Sequence, residues 1–325
     1  MCTAATYKTK NAYFGRNLDY EFSYGEEVVI IPRHFPFHFR EAGSLDSHYA
    51  IIGIAFVADG YPLLYDGANE KGLGVAGLNF VGNAVYNDHV EGKDNVAQFE
   101  LLPWILGQCA TVEEAKALLA KINIRNLNFS DQLPASELHW IITDITGAAI
   151  TVESMADGLK IYDNPAGVMT NNPPFDKMYL QLSNYQHLSA KAPENKLAPG
   201  LTFNQYSRGM GAIGLPGDLS SESRFAKVAF TKLNSLSADD EISSVSQFFH
   251  ILHSVDQQRG CTDLGNNKYE ITIFSDCYDL NTGSFYYTCY DNHQITSYSL
   301  AKANLDTPEL FHAPLITTEQ INYQN

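Results

Sequence analysis

Apolar and polar positions repeat with two different periods along this chain, and the switches between them mark its elements. Over the first 80 residues the pattern is that of strands. CTAATY, AYFGRNLDY, EVVIIP, YAIIGIAFV and LGVAGLNF are rich in β-branched and aromatic residues, are separated by turn signals, and read as strands. Helical spacing then takes over in FELLPWILGQ, with a proline near its start, and in TVEEAKALLAKI. In the latter, Val112, Ala115, Leu118, Leu119 and Ile122 share one face. Thr111 is its N-cap, and Glu114 completes a capping box.

Strands return in LHWIITDI and AAITVES, joined by a turn at Thr146-Gly147. GVMTN is a further short strand, stopped by the prolines of NNPPF. Helices are predicted near 176–188, 221–234 and 242–256. YEITIFSDCYDL, GSFYYTCYD and QITSYSL read as an antiparallel meander with turns at Asn281–Gly283 and Asp291–His293. Strands thus cluster at both ends and in the middle, with helices between them. That is not the βαβα alternation of a parallel sheet. It predicts an α+β fold with antiparallel sheets covered by helices. The 325 residues contain no repeat, low-complexity run or linker, so one domain over 1–325 is expected.

Charge narrows the partners. The 37 acidic residues outnumber the 21 basic ones, a net charge of -16. Nucleic acid is disfavoured, because phosphate binding needs clustered Lys and Arg. An anionic substrate must be held by a few local arginines or by apolar contacts. No run reaches the roughly 18 apolar residues of a membrane span, and MCTAATYKTKNAYFG lacks the apolar core of a signal peptide. The five cysteines, Cys2, Cys109, Cys261, Cys277 and Cys289, fit neither a disulfide framework nor a zinc site. Reduced thiols in a cytoplasmic protein are expected, the last four as small buried hydrophobes.

Several motif matches carry little. GMGAIG at 209–214 fits GxGxxG but follows NQYSR rather than an apolar strand. His250 and His253 share a helical face without a third ligand. The sequon at Asn128 has no export signal to serve. There is no GxSxG elbow and no P-loop.

Cys2 is different in kind. Removing Met1 would leave it with a thiol and a free α-amine, with ordinary pKa values of about 8.5 and about 7.7–8.0. A thiol is an acyl-transfer nucleophile, and an amine titrating near neutrality is a suitable base. On position alone, a bystander cysteine behind a retained Met1 is the simpler reading. Arg16 and Asp19 lie in FGRNLDY, the strand expected to pair with CTAATY across KTKN. A guanidinium beside a thiol favours the thiolate, and a carboxylate can orient the amine. Two ordinary surface charges remain the alternative. Residues 16 and 19 point to opposite faces of a regular strand, so serving Cys2 together requires an irregularity near Leu18–Asp19.

MCT, FGRNLDYEFSY, DGANEKGLGVAGLNF, VMTNNPPF and IGLPGDLSSESRF, with HWIITDITG and YDNHQI, together resemble the choloylglycine hydrolase family. That family comprises bile salt hydrolases and penicillin V acylases among the N-terminal-nucleophile hydrolases. The motifs run in family order over essentially the whole chain. The resemblance implies a four-layer αββα sandwich, two antiparallel sheets packed face to face with helices outside. It implies catalytic roles for Cys2, Arg16, Asp19, Asn79, Asn171 and Arg224, with Asn79 and Asn171 stabilising an oxyanion. It implies no metal or organic cofactor and a homotetramer.

The substrates implied are conjugated bile salts, whose steroid body needs an apolar pocket. Leu18 and Tyr24, the loop around Phe56–Tyr65 with Tyr65 itself, and Phe129 with Leu133 in NLNFSDQLPAS are the candidate walls, against plain core packing for each. Asparagine after AGL is similar to bile salt hydrolases, whereas penicillin V acylases tend to have tyrosine there. Phenoxymethylpenicillin is therefore the alternative substrate, and a non-catalytic steroid-acid binder the alternative class.

Overall fold

After Glu27, the run VVII has no polar position to offer solvent, and the fold explains why. In the computed structural model, which describes residues 1–325, Val28 and Ile30 enter one apolar layer while Val29 and Ile31 enter another. A strand covered on both faces needs apolar residues at every position.

The strands of the two large sheets are β1 (Cys2–Lys8), β2 (Ala12–Tyr20), β3 (Glu27–Ile31), β4 (Ile51–Ala58), β5 (Tyr61–Asn69), β6 (Gly74–Asn79), β7 (Leu138–Thr143), β8 (Ala149–Met155), β9 (Gly158–Asp163), β10 (Val168–Met169), β11 (Ile271–Asp279), β12 (Ser284–Cys289), β13 (Asn292–Ser299) and β14 (Phe311–Pro314). The helices are α1 (Leu101–Leu106), α2 (Val112–Leu119), α3 (Phe175–Leu182), α4 (Ser221–Asn234) and α5 (Glu241–His253). One antiparallel sheet has the order β10-β1-β2-β11-β12-β13. The other runs β9-β8-β7-β6-β5-β4-β3-β14.

Three apolar layers separate four structural layers. Phe14, Leu18, Phe274 and Tyr278 from the first sheet meet Ile30, Ile54, Leu78 and Ile141 from the second. Outside the second sheet, α1 and α2 bury Leu101, Ile105, Val112 and Leu119 against Trp140 and Ile142. Outside the first, α4 and α5 bury Phe225, Val228, Phe248 and Leu252 against Ala5 and Tyr13. This is the αββα sandwich that the resemblance implied.

Local signals act as expected at several places. Thr111 caps α2, its Oγ1 accepting from the Glu114 N–H at 3.2 Å. Two helices end earlier than expected: α3 stops at Leu182 rather than 188, followed by a 3-10 turn over Ser183–Tyr185, and α5 stops at His253 rather than 256. In the two large sheets three strands were not expected, β5, β9 and β14; outside them Ile122, expected on the face of α2, instead begins a short strand, Ile122–Arg125, that pairs in parallel with Asp94–Ala97. The expected loop around Phe56–Tyr65 is the β4–β5 hairpin. Ala58 pairs with Tyr61 across Asp59 and Gly60, both at positive φ, the conformation an Asp-Gly turn supplies. β14 is an edge strand, where Pro314 costs no ladder bond.

GMGAIG forms only a short 3-10 turn over Met210–Ala212, with no strand before it. Cys109, Cys277 and Cys289 are buried, but Cys261 is exposed, because it sits in the turn after α5 rather than in an element.

Candidate active site

Cys2 is the first residue of β1, pairs with Leu18 of β2 and is 5% exposed. Its backbone N–H donates to Asn171 Oδ1 at 2.8 Å. The Met1 ammonium donates to the Asp19 carbonyl at 2.7 Å and also to the Glu270 carboxylate.

The period of β2 turns Arg16 and Leu18 toward the second sheet, the side on which the Cys2 sulfur lies. Arg16 Nη2 donates to Cys2 Sγ at 2.5 Å. Nη1 donates to the Gly77 carbonyl at 2.6 Å and the Tyr65 carbonyl at 3.3 Å. Nε lies 3.9 Å from Asp66 Oδ2. Burial acts to lower the Arg16 pKa, but Cys2, Asp66, Asp276 and Asp19 outweigh it and the net shift is upward. The guanidinium is thus fixed by main-chain carbonyls and aimed at the sulfur.

The opposite face of β1 and β2 meets α4. Asp218 accepts from the Ser220 N–H at 3.0 Å and from Ser223 Oγ at 2.5 Å, organising the start of that helix. Arg224, in its first turns, is fully buried. Its Nη1 donates to the Cys2 carbonyl at 2.6 Å and to Thr3 Oγ1 at 2.5 Å, and Nη2 donates to Asn171 Oδ1 at 2.8 Å. Burial lowers the Arg224 pKa, opposed by Asp19, Cys2 and Glu270.

Asp19 Oδ1 accepts from Thr272 Oγ1 at 2.7 Å. Its Oδ2 lies 3.8 Å from Arg224 Nη1 and has no hydrogen-bond donor. Burial pushes the Asp19 carboxyl up, against Arg224, the N-terminal ammonium and Thr272.

Arg16 and Asp19 therefore do lie on opposite faces. The irregularity expected in this strand near Leu18–Asp19 is absent: β2 runs unbroken to Tyr20, and the register shift falls in its partner β11, between Thr272 and Phe274. Cys2 is served from both sides because it is a strand's first residue. Its sulfur meets Arg16 between the sheets, and its main chain meets Arg224 and Asn171 on the helix side.

Asn171 follows β10. Its N–H donates to Ser221 Oγ at 2.8 Å, and its Nδ2 donates to the Asn79 carbonyl at 2.8 Å. The preceding carbonyl, of Thr170, is hydrogen-bonded to His139 Nε2 at 2.9 Å, and His139 Nδ1 meets Glu153 at 3.0 Å. Asn79 ends β6 with its side chain exposed at the cavity described next.

A cavity of about 360 Å³ opens above Cys2, Arg16, Asp19 and Asn79, within the usual range of about 300–1,000 Å³ for small-molecule sites. Its walls include Leu18, Tyr24, Tyr65, Phe129 and Leu133, all five of the candidates, together with Phe56, Leu63 and Phe99. The loop bearing Phe129 and Leu133 is pinned. Arg40 Nη2 donates to the Phe129 carbonyl at 2.9 Å, and the guanidinium lies 5.5 Å from the Phe129 ring centroid and 5.9 Å from that of Phe99.

The six polar candidates form one connected cluster around Cys2: Arg16 meets its sulfur, Arg224 and Asn171 its main chain, Asp19 lies beside Arg224, and Asn79 is joined through Asn171. The sequence reading missed Glu270, Thr272, His139 and Glu153, and the Asp66–Asp276–Tyr278 group behind Arg16. These reach the site through strand pairing and sheet packing; His139 and Asp66 open the HWIITDITG and DGANEKGLGVAGLNF stretches, but nothing local marks their contacts. The other buried thiols differ from Cys2 in having no cationic neighbour: burial pushes Cys109 and Cys289 up to about 12.

The family model for linear amide C–N hydrolases of the choloylglycine hydrolase family matches residues 2–313. A bile salt hydrolase/transferase from Lactiplantibacillus plantarum is 54% identical over 320 residues, 98% of each chain. One from Clostridium perfringens is 38% identical over 330 residues, covering all of both. The solved structure of the C2A mutant of the conjugated bile acid hydrolase from Clostridium perfringens superposes with a TM-score of 0.92 at 37% identity over the full length of both chains. A penicillin V acylase from Agrobacterium tumefaciens gives a TM-score of 0.76 at 20% identity, covering 96% of this chain and 90% of that one, and shares the fold.

Proposed function

The chain belongs to the choloylglycine hydrolase family of linear amide C–N hydrolases, and from that premise we propose that it hydrolyses the amide bond of glycine- or taurine-conjugated bile acids. The observation that carries the reading is Arg16 Nη2 at the Cys2 sulfur, at the base of an apolar cavity. The bile salt relatives at 54% and 38% identity support this substrate over penicillin V; the penicillin acylase neighbour bears on fold alone.

Met1 is removed first in this mechanism. The new Cys2 amine keeps its bond to Asn171 Oδ1 and gains N–H groups within the reach of Asp19, whose Oδ2 lacks a donor. The steroid body occupies the cavity against Leu18, Tyr24, Tyr65, Phe129 and Leu133. The sulfur attacks the amide carbonyl. Arg16 stabilises the charge on sulfur, the α-amine takes the thiol proton and passes it to the leaving amine, and Asn79 and Asn171 donate to the oxyanion. Water then cleaves the thioester. Arg224 positions the Cys2 main chain and Asn171. A single domain, a cytoplasmic location and a homotetramer complete the reading.

Intact mass and turnover test it together. Protein lacking Met1 is expected to release glycine or taurine from conjugated bile salts faster than it cleaves phenoxymethylpenicillin, and Met1-retained protein to be inactive. Equal activity with Met1 attached would falsify the amine's role. A preference for the penicillin would reassign the substrate.

A further inference from the structure

Behind Arg16, in the apolar layer between the sheets, sit two carboxyl groups that the mechanism above does not use. Asp66 of β5 and Asp276 of β11 are both fully buried and lie within hydrogen-bond reach of each other. Their other contacts are fixed. Asp66 Oδ1 accepts from the Tyr278 hydroxyl, and Asp276 Oδ1 accepts from the Arg16 backbone N–H at 2.7 Å. That leaves Asp66 Oδ2 and Asp276 Oδ2 buried with no donor. Two facing acceptors that both lack a hydrogen are satisfied by one proton between them.

We propose that Asp66 and Asp276 form a proton-sharing pair that positions Arg16 against the Cys2 sulfur. Asp276 holds the proton and donates it to Asp66 Oδ2. Asp66 carries the one negative charge, on the side where Arg16 Nε lies 3.9 Å away. The groups facing the pair are Arg16 from β2 and Tyr278 from β11, with Cys2 beyond the guanidinium. Were both carboxyls ionised, two buried anions would flank one guanidinium, and their net charge would oppose negative charge on the sulfur. With one proton held, the pair and Arg16 sum to zero. Burial and the charge of Asp66 both push Asp276 well above the ordinary carboxyl range, in agreement with the geometry.

Gly15 belongs to the same device. A β-carbon there would meet the Asp276 carbonyl oxygen at 2.0 Å and Oδ1 at 2.8 Å. Only glycine lets β11 bring this aspartate so close to β2.

The catalytic consequence rests on the hydrolase reading; the protonation does not. Infrared spectra of substrate-free protein at a pH of about 9, above the value of about 7 to which burial raises Asp256, are expected to show a protonated-carboxyl C=O stretch that Asp276→Asn lacks. Its absence from wild type would overturn the proposal whether or not the amide is hydrolysed. Asp276→Asn supplies an amide N–H in place of the shared proton, so it should fold and keep kcat and KM within about threefold, whereas Asp276→Ala loses activity. Asp66→Asn moves the charge to Asp276, and kcat should fall at least about tenfold with KM nearly unchanged. Misfolding of Asp276→Asn, or equal damage in Asp276→Asn and Asp66→Asn, would overturn the pair.

Discussion

Arg16 reaches Cys2 along a diagonal of the β1–β2 hairpin. The register pairs Cys2 with Leu18 and Ala4 with Arg16, yet Nη2 lies 2.5 Å from Sγ. Diagonal neighbours on one face of an antiparallel pair are within reach of a long side chain. The planar fork then serves the sulfur and the Gly77 and Tyr65 carbonyls at once, which a single ammonium cannot do. Arg16→Lys is expected to fold and to lose about 100-fold in kcat for conjugated bile salts. Near-wild-type turnover in steady-state assays would show that positive charge alone suffices.

The two asparagines should separate by what else they hold. Asn171 Oδ1 receives both the Cys2 N–H and Arg224, while the Asn79 side chain is exposed at the cavity. Losing one oxyanion donor costs about 100–1,000-fold. Asn79→Ala should lose activity in that range with an unchanged melting temperature. Asn171→Ala should lose at least as much and also melt lower, because it leaves a buried guanidinium donor unpaired. Calorimetry beside kinetics distinguishes them, and equal melting temperatures would contradict the second role.

What the sequence makes legible follows from how far its signals act. The β-branched run of EVVII, the Thr111 cap and the helix over 221–234 are short-range signals, and each forms where expected. The β4–β5 hairpin has such a signal too, in Asp59-Gly60, but Pro62 and Asp66 break the apolar run that marks a strand. β9 and β14 are edge strands with half-exposed residues and little contrast between faces. In the site, Arg16 and Asp19 are readable because they share a strand pairing with Cys2. Asn79, Asn171 and Arg224 come from segments far apart in the chain, and only the family resemblance joins them. Asp66 opens the DGANEKGLGVAGLNF motif, but nothing there marks its contact with Arg16; Asp276 and Glu270 belong to none of the motifs, and strand pairing and sheet packing bring all three in.

Arg40 holds one cavity wall from outside. It touches no position where substrate would sit, but it lies beside the Phe99 and Phe129 rings and bonds the Phe129 carbonyl. Exposed cation–π contacts are worth about 0.5–1 kcal/mol each. Arg40→Ala should therefore raise KM for bile salts about threefold to tenfold and leave kcat nearly unchanged. Limited proteolysis should also cut the loop over 126–137 faster. An unchanged KM would mean that the loop holds its shape by its own Asn128 and Ser130 hydrogen bonds.

Asp256 couples the helix side of the site to pH. Burial, and then the charge of Asp19, raise its carboxyl from 3.8 to about 7. The folded chain thus holds a proton that the unfolded chain has released over that interval. Stability from this group is fully present below the unfolded value and falls as pH rises toward about 7. Asp256→Asn keeps an acceptor for Asn17 Nδ2, which lies 3.1 Å from Oδ1, and removes the charge. Its melting temperature should match wild type at pH values near 4 and exceed it by about 2–4 °C above pH 7, read by calorimetry across that range. In an Asp19→Asn background the gain should shrink, because the second cause of the shift has been removed. A gain of full size there would show that burial acts alone and that Asp19 is electrostatically silent toward Asp256.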